Sequence, residues 1–229
     1  MGYIVITAII ALWVLWKKTH YNDSKWVKER IEGRSKEQKA VIRYFCNNPA
    51  CLSKKPISDA EYDQMVLDVL NSNDYKQKAL SKIGLDEDQV KEIEPVHFEG
   101  FVYEEDKCLT KNGDDGKVRS SKYQVSWLFF SATQLYLYQN TFSMDEDGKQ
   151  ETTEEYFYKD ITNFATSSDT VETPFYEVKK DKIVLKNVNS NRFLLTVPGN
   201  KFYCSLEQND YTERAIQGMK AMLREKKNA

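Results

Sequence analysis

The stretch SKYQVSWLFFS, residues 121–131, decides the fold. Tyr123, Val125, Trp127 and Phe129 fall at period two, the spacing that puts side chains on one face of a β-strand. Phe193, Leu195 and Val197 repeat that spacing later in the chain, and the two alternating sets are expected to point into one shared core. Around them, HFEGFVYEE (97–105), TQLYLYQNTFSM (133–144), TEEYFYKDITNFA (153–165), ETPFYEVKK (172–180), DKIVLKN (181–187) and NRFLLTVP (191–198) are rich in aromatic and β-branched residues. That composition suits a pleated, half-buried surface. Seven strand candidates result. DEDG (145–148) and NSN (189–191) read as hairpin turns. In the closing segment, residues 211–227, Ala215, Ile216, Met219, Met222 and Leu223 make one helical stripe.

Upstream of Pro95 the period is helical. Residues 23–45 read as a helix that Asp23 or Ser24 can cap and that Gly33 can break in two. Ser58 and Glu61 have the spacing of a capping box, which satisfies two orphan amides at a helix start. Gly84 suits a left-handed helix end. Asp86, Gln89 and Pro95 bound a further, acidic helix from Asp86 to Glu94, a candidate surface for a basic partner. Residues 21–95 are thus expected to form a small antiparallel helical module, and residues 96–229 a β domain with a terminal helix.

The chain begins MGYIVITAIIALWVLWKKTH. Tyr3 to Trp16 carries no charge, no small-residue cleavage site follows it, and Lys17 and Lys18 come at once. A helix over residues 1–16 would be roughly 24 Å long, short of the roughly 30 Å hydrocarbon core. Lys17 and Lys18 can snorkel, and Tyr3, Trp13 and Trp16 suit the membrane interface. The reading is a retained single-pass transmembrane anchor over residues 1–20. From Tyr21 to Phe45 seven basic residues oppose four acids, whereas from Gly84 to Gly116 eleven acids face three lysines. The positive-inside bias then places the C-terminal part in the cytoplasm, with the lipid bilayer as one partner.

The chain has 229 residues, 41% hydrophobic and 13% aromatic, with a formal net charge of -2. This supports a packed core and points away from nucleic acid. Cys46, Cys51, Cys108 and Cys204 are too scattered for a disulfide scaffold, and with His20 and His97 as the only histidines they do not assemble a zinc ligand set. No cofactor and no metal are expected.

The order of elements resembles a pleckstrin-homology-like barrel, in which two orthogonal sheets bend around a core and a last helix plugs one end. TQLYLYQNTFSM followed by EEYFYKDITNFAT is similar to the bacterial branch of that superfamily. There a strand, an acidic hairpin and a Tyr-x-Asp-Ile turn follow one another, and here that turn is Tyr158-Lys159-Asp160-Ile161. The resemblance spans residues 96–226. It implies an α+β protein whose seven-stranded pleckstrin-homology-like barrel or sandwich is capped by a C-terminal helix. Another small barrel or sandwich with an added helix is the competing fold.

The sequence offers three candidate chemistries. Ser143, Asp145, Asp147, Gly148 and Glu154 sit at calcium-loop positions, but strand-like flanks favour a hairpin tip whose acids project into water. Lys111, Lys117 and Arg119 resemble the basic pattern of phosphoinositide-binding members of the superfamily, though Asp114 and Asp115 between them oppose an anion. No nucleophile elbow, phosphate loop or dinucleotide fingerprint appears, so no catalytic residue is assigned. The expected function is binding: a membrane-anchored scaffold recognising a protein partner or the membrane surface, with a groove between a strand edge and the terminal helix as the peptide site. The alternatives are an anionic-lipid or anion sensor through Lys111, Lys117 and Arg119, and an enzyme with an unrecognised site.

Overall fold

The computed structural model describes residues 23–46, 56–90, 92–103 and 108–228. Five α-helices and nine strands are found among them: α1 (Lys25–Ile31), α2 (Lys36–Phe45), α3 (Asp59–Asn71), α4 (Tyr75–Ile83), β1 (Val96–Phe101), β2 (Thr110–Asn112), β3 (Val118–Ser120), β4 (Lys122–Phe130), β5 (Gln134–Ser143), β6 (Lys149–Phe157), β7 (Asn163–Glu177), β8 (Lys182–Val197), β9 (Asn200–Ser205) and α5 (Asp210–Asn228). The strands form two open sheets, ordered β1-β4-β5-β6 and β3-β2-β7-β8-β9.

The local signals of the helices are realised. Ser24 accepts the amide of Val27 at the start of α1, Gly33 separates α1 from α2 at φ 72°, and capping boxes open both α2 (Ser35, Gln38) and α3 (Ser58, Glu61). Gly84 ends α4 in the left-handed region. The acidic helix expected from Asp86 to Glu94 is only a 3-10 turn, Glu87–Val90.

Strand β4 is buried on both faces, and this organises the molecule. Leu128 and Phe130, with Leu135 and Leu137 of β5, face a core shared with the second sheet and with Ile216, Met219, Met222 and Leu223 of α5. Tyr123, Val125 and Phe129, with Tyr136, Tyr138 and Phe142 of β5, face the other way and pack against Val41, Tyr44, Phe45, Tyr62, Val66 and Leu80 of the helices. The two alternating sets of the sequence therefore point into different cores. Phe193, Leu195 and Val197 belong to the inner one, whereas the Tyr123 set lies under the helical layer.

Several expectations are corrected. The described residues form nine strands in two open sheets where a seven-stranded barrel or sandwich was expected. NSN is not a turn: Asn189, Ser190 and Asn191 lie inside β8, paired with Thr170, Asp169 and Ser168. Val188 and Ser190 are buried on either side of the exposed Asn189, and the buried set passes to the opposite face from Phe193 onward. The reversal between β7 and β8 instead uses the 3-10 turn Val178–Lys180 and Asp181 at φ 48°. Met144 to Gly148 does link β5 to β6, as the DEDG tip predicts.

The membrane-spanning helix is also corrected. Among the described residues no helix is long and apolar enough to cross a membrane. The longest, α5, is 19 residues of mixed character with Glu213, Arg214, Arg224 and Glu225 on its exposed side. Tyr3, Trp13, Trp16, Lys17 and Lys18 lie outside the described residues. Nothing among the described residues supports the single-pass placement or the cytoplasm-facing orientation.

Candidate functional site

Two charged clusters fasten the helical layer to the sheets. In the first, Arg119 of β3 is 2% exposed. Its Nε and Nη2 donate to Asp63 of α3, both at 2.7 Å, and its Nη1 and Nη2 donate to Asp115 at 2.9 and 2.8 Å. Asp59 accepts from the Tyr44 hydroxyl at 2.7 Å, the Asp114 amide at 2.7 Å and the Lys111 ammonium at 3.3 Å. Lys111 also lies 4.0 Å above the Tyr44 ring. The hydrogen bonds from Asp63 and Asp115 raise the guanidinium pKa further, and the Arg119 contact lowers that of Asp115. For Asp59, burial pushes upward but the Tyr44 hydroxyl, the Asp114 amide and Lys111 outweigh it, and the pKa is lowered. Gly113 is required here, because a Cβ would stand 2.2 Å from Arg119 Nη1 and 2.8 Å from Asp59 Oδ2.

The basic pattern is thus brought together only in part. Lys111 and Arg119 share one network, where three aspartates already hold their charge, while Lys117 is exposed and gives its backbone amide to Asp115. An incoming anion would have to displace carboxylates that the fold itself supplies.

The second cluster sits at the β5–β6 tip. Asp145 is fully buried and accepts from Arg30 of α1 at 2.9 Å. Arg34 reaches Glu146 at 3.2 Å and Gln38 donates to Asp147 at 2.7 Å. The acids expected to project into water instead pair with the first two helices. A polar cleft of 190 Å³ lies beside this tip, lined by Lys122, Thr141, Ser143, Glu146, Gly148 and Lys149 among others. It is smaller than the roughly 300–1,000 Å³ of typical small-molecule sites. Among the described residues no three His, Cys, Asp or Glu side chains group as a metal site. His97 stacks on Trp127 at 4.9 Å and meets Tyr211 at 5.3 Å, and burial lowers its pKa.

The feature best suited to recognition is a strand edge. In the second sheet β7 pairs with β8 along its whole length, but on its other side β2 meets it only at Phe175, opposite Thr110. From Asn163 to Thr173 that side has no strand neighbour among the described residues. Thr166, Ser168, Asp169, Thr170 and Glu172 are exposed there, while Phe164 anchors the start of the edge in the core beside α5. An unpaired strand presents a row of amide and carbonyl groups that another strand can take up.

Three of the other edges are guarded. β6, the outer strand of the first sheet, carries Lys149, Glu151, Glu154 and Glu155 in nine residues. β3 has three residues, and the β1 edge is occupied where the Glu207 amide donates to the Glu99 carbonyl. On the open part of β7 the charged residues are Asp169, which Arg192 of the neighbouring strand neutralises, and Glu172. Sequence reasoning anticipated a strand-and-helix groove in general terms, but it broke β7 into two strands and so hid its length.

No family model matches the chain, no curated protein matches it, and no solved structure matches it.

Proposed function

We propose that this protein is a binding module that accepts an extended peptide segment as an added strand along Asn163–Glu172 of β7. The observation that carries the reading is the contrast among edges: β6 carries four charged residues in nine, whereas Asn163–Glu172 of β7 is a long polar run with two in ten, one of them paired with Arg192. Main-chain hydrogen bonds supply affinity in such a mode and alternate side chains supply selectivity. The pleckstrin-homology-like resemblance agrees with it. A four-stranded antiparallel sheet packed on a mixed five-stranded one, with a terminal helix of one apolar stripe, supports that reading, and such a groove beside the terminal helix is where a peptide is expected.

Decapeptides selected from a random display library against the full chain test the reading. They should compete with one another and slow amide hydrogen exchange in residues 163–172. Selected peptides that protect another surface and leave this edge unchanged would overturn it.

A further inference from the structure

We infer that the strand received by this edge is β7 of a second copy of the chain, run antiparallel about a two-fold axis; this rests on the strand-addition reading and names its partner. In such a pair residues i and j face each other from the same side of the extended sheet, so the axis passes through a residue and i and j share parity. Axes through Ser167 or Ser168 centre the pairing on the open run.

With the axis at Ser167, Thr166 faces Ser168, Ala165 faces Asp169, Phe164 faces Thr170 and Asn163 faces Val171. With the axis at Ser168, Ser167 faces Asp169, Thr166 faces Thr170, Ala165 faces Val171 and Phe164 faces Glu172. Neither register sets acid against acid, and at the centre of each, small, hydroxyl or β-branched side chains oppose one another (Thr166 with Ser168, or Thr166 with Thr170), pairs that suit cross-strand packing. β6 gives the opposite result. Self-pairing centred on Thr153 puts Glu151 against Glu155, twice by symmetry, a like-charge arrangement that destabilises a ladder. Centred on Thr152, β6 instead sets Lys149 against Glu155, so its rejection of its own copy depends on register, whereas both registers centred on the open run of β7 are free of like-charge pairs.

Sedimentation equilibrium of the full chain from low to high micromolar concentration tests the inference, and a monomer–dimer equilibrium is expected. Ser167→Asp creates acid-to-acid pairs in both registers and should weaken the dimer about tenfold or more, the effect of roughly 1.4 kcal/mol. Ser167→Lys assigns the register: it weakens the dimer if the axis lies at Ser167, where lysine meets lysine, and strengthens it if the axis lies at Ser168, where lysine meets Asp169. If Ser167→Lys alone weakens the dimer, an equimolar mixture of the two variants should restore association through a lysine–aspartate pair, which a misfolded variant would not do. A dimer indifferent to Ser167→Asp, or a chain monomeric throughout, would overturn self-pairing. In the monomeric case a fluorescent peptide copying residues 162–173, together with the selected decapeptides, separates the two ideas. Protection of residues 163–172 by the decapeptides leaves strand addition standing without self-pairing, whereas protection by neither removes both.

Discussion

The two faces of the first sheet are covered by different means. The inner face meets Ile216, Met219, Met222 and Leu223 of α5, an apolar stripe whose attraction has no preferred direction. The outer face is lined by Tyr123, Tyr136, Tyr138 and Phe142 and is covered by helices whose rim is tied through Arg119 and Arg30. Tyr62 adds a bond from its hydroxyl to the Ser120 carbonyl at 2.6 Å, and Tyr44 stacks on Tyr62 at 4.8 Å. Apolar burial holds both layers; α5 adds the Lys226–Glu92 and Tyr211–His97 contacts near its ends, whereas the outer layer is fixed by a bidentate guanidinium. An apolar seal tolerates adjustment; a bidentate guanidinium does not.

Removing residues 1–95 should break this contrast most severely. The outer face would expose its tyrosines and phenylalanines, so the remaining chain is expected to aggregate or to lose cooperative thermal unfolding; a sharp, reversible melt of residues 96–229 would show that the helical layer is dispensable. Next in size, Met219→Asp combined with Leu223→Asp buries two unpaired charges in the inner core and should cost several kcal/mol. An unchanged chemical-denaturation midpoint would show that α5 does not seal that face.

Arg119→Leu probes the outer rim and is expected to cost about 2–4 kcal/mol. It leaves Asp59, Asp63 and Asp115 close together without their guanidinium, but Asp63 and Asp115 are partly exposed and water recovers part of the loss. Adding Asp63→Asn to it should recover stability, and a double variant no better than the single would argue against charge as the cause. Asp145→Asn should be milder, about 1–3 kcal/mol, because Arg30 keeps Glu146 as a second partner at 3.6 Å.

Acid sharpens the same comparison with the smallest effect. Asp59 and Asp115 have folded pKa values below their unfolded ones, so their contribution is full above the unfolded value of about 3.9 and is lost as pH falls towards the folded values. Glu99 has the opposite sign. Burial, reinforced by Glu207, raises its pKa, so protonation relieves a cost. Denaturation midpoints measured from pH 6 to pH 3 should drop mainly below about pH 4 in the natural chain. Arg119→Leu should remove much of that drop, and an equal slope in both proteins would locate the acid sensitivity elsewhere.

What the sequence disclosed was set by range. Ser24, Gly33, Ser58 and Gly84 act within one helical turn, and each does what its local pattern predicts. The aromatic alternation in β4 identified a buried strand but not which layer lay on each side, because both faces are apolar and the letters are the same. Lys111 and Arg119 illustrate the same limit. Their neighbours in sequence, Asp114 and Asp115, argued against an anion site, whereas the residues that claim their charge, Asp59 and Asp63, lie more than 45 positions upstream. NSN misled because asparagine favours turns, yet here the pairing with β7 supplies its backbone with partners. The open edge of β7 was not legible, because the reading from sequence split that strand in two, and only strand order shows that among the described residues no strand pairs with its outer side from Asn163 to Thr173.

The contact between α1 and the β7–β8 turn governs when this protein can finish folding. Ser24, which caps α1, shares a hydrogen bond with the Tyr176 hydroxyl at 2.9 Å, and that hydroxyl donates to Asp181 at 2.7 Å; Trp26 leans on the same tyrosine. The partners stand 152 positions apart. Chain emerging from a ribosome at about 5–20 residues per second would hold its first helices for on the order of ten seconds before Tyr176 exists to receive them. Throughout that interval Trp26 lacks the tyrosine it leans on, although the apolar side of α2 gains β4 and β5 earlier. Contacts of such separation slow folding through the entropy of loop closure, and the first segment made is therefore among the last to be placed.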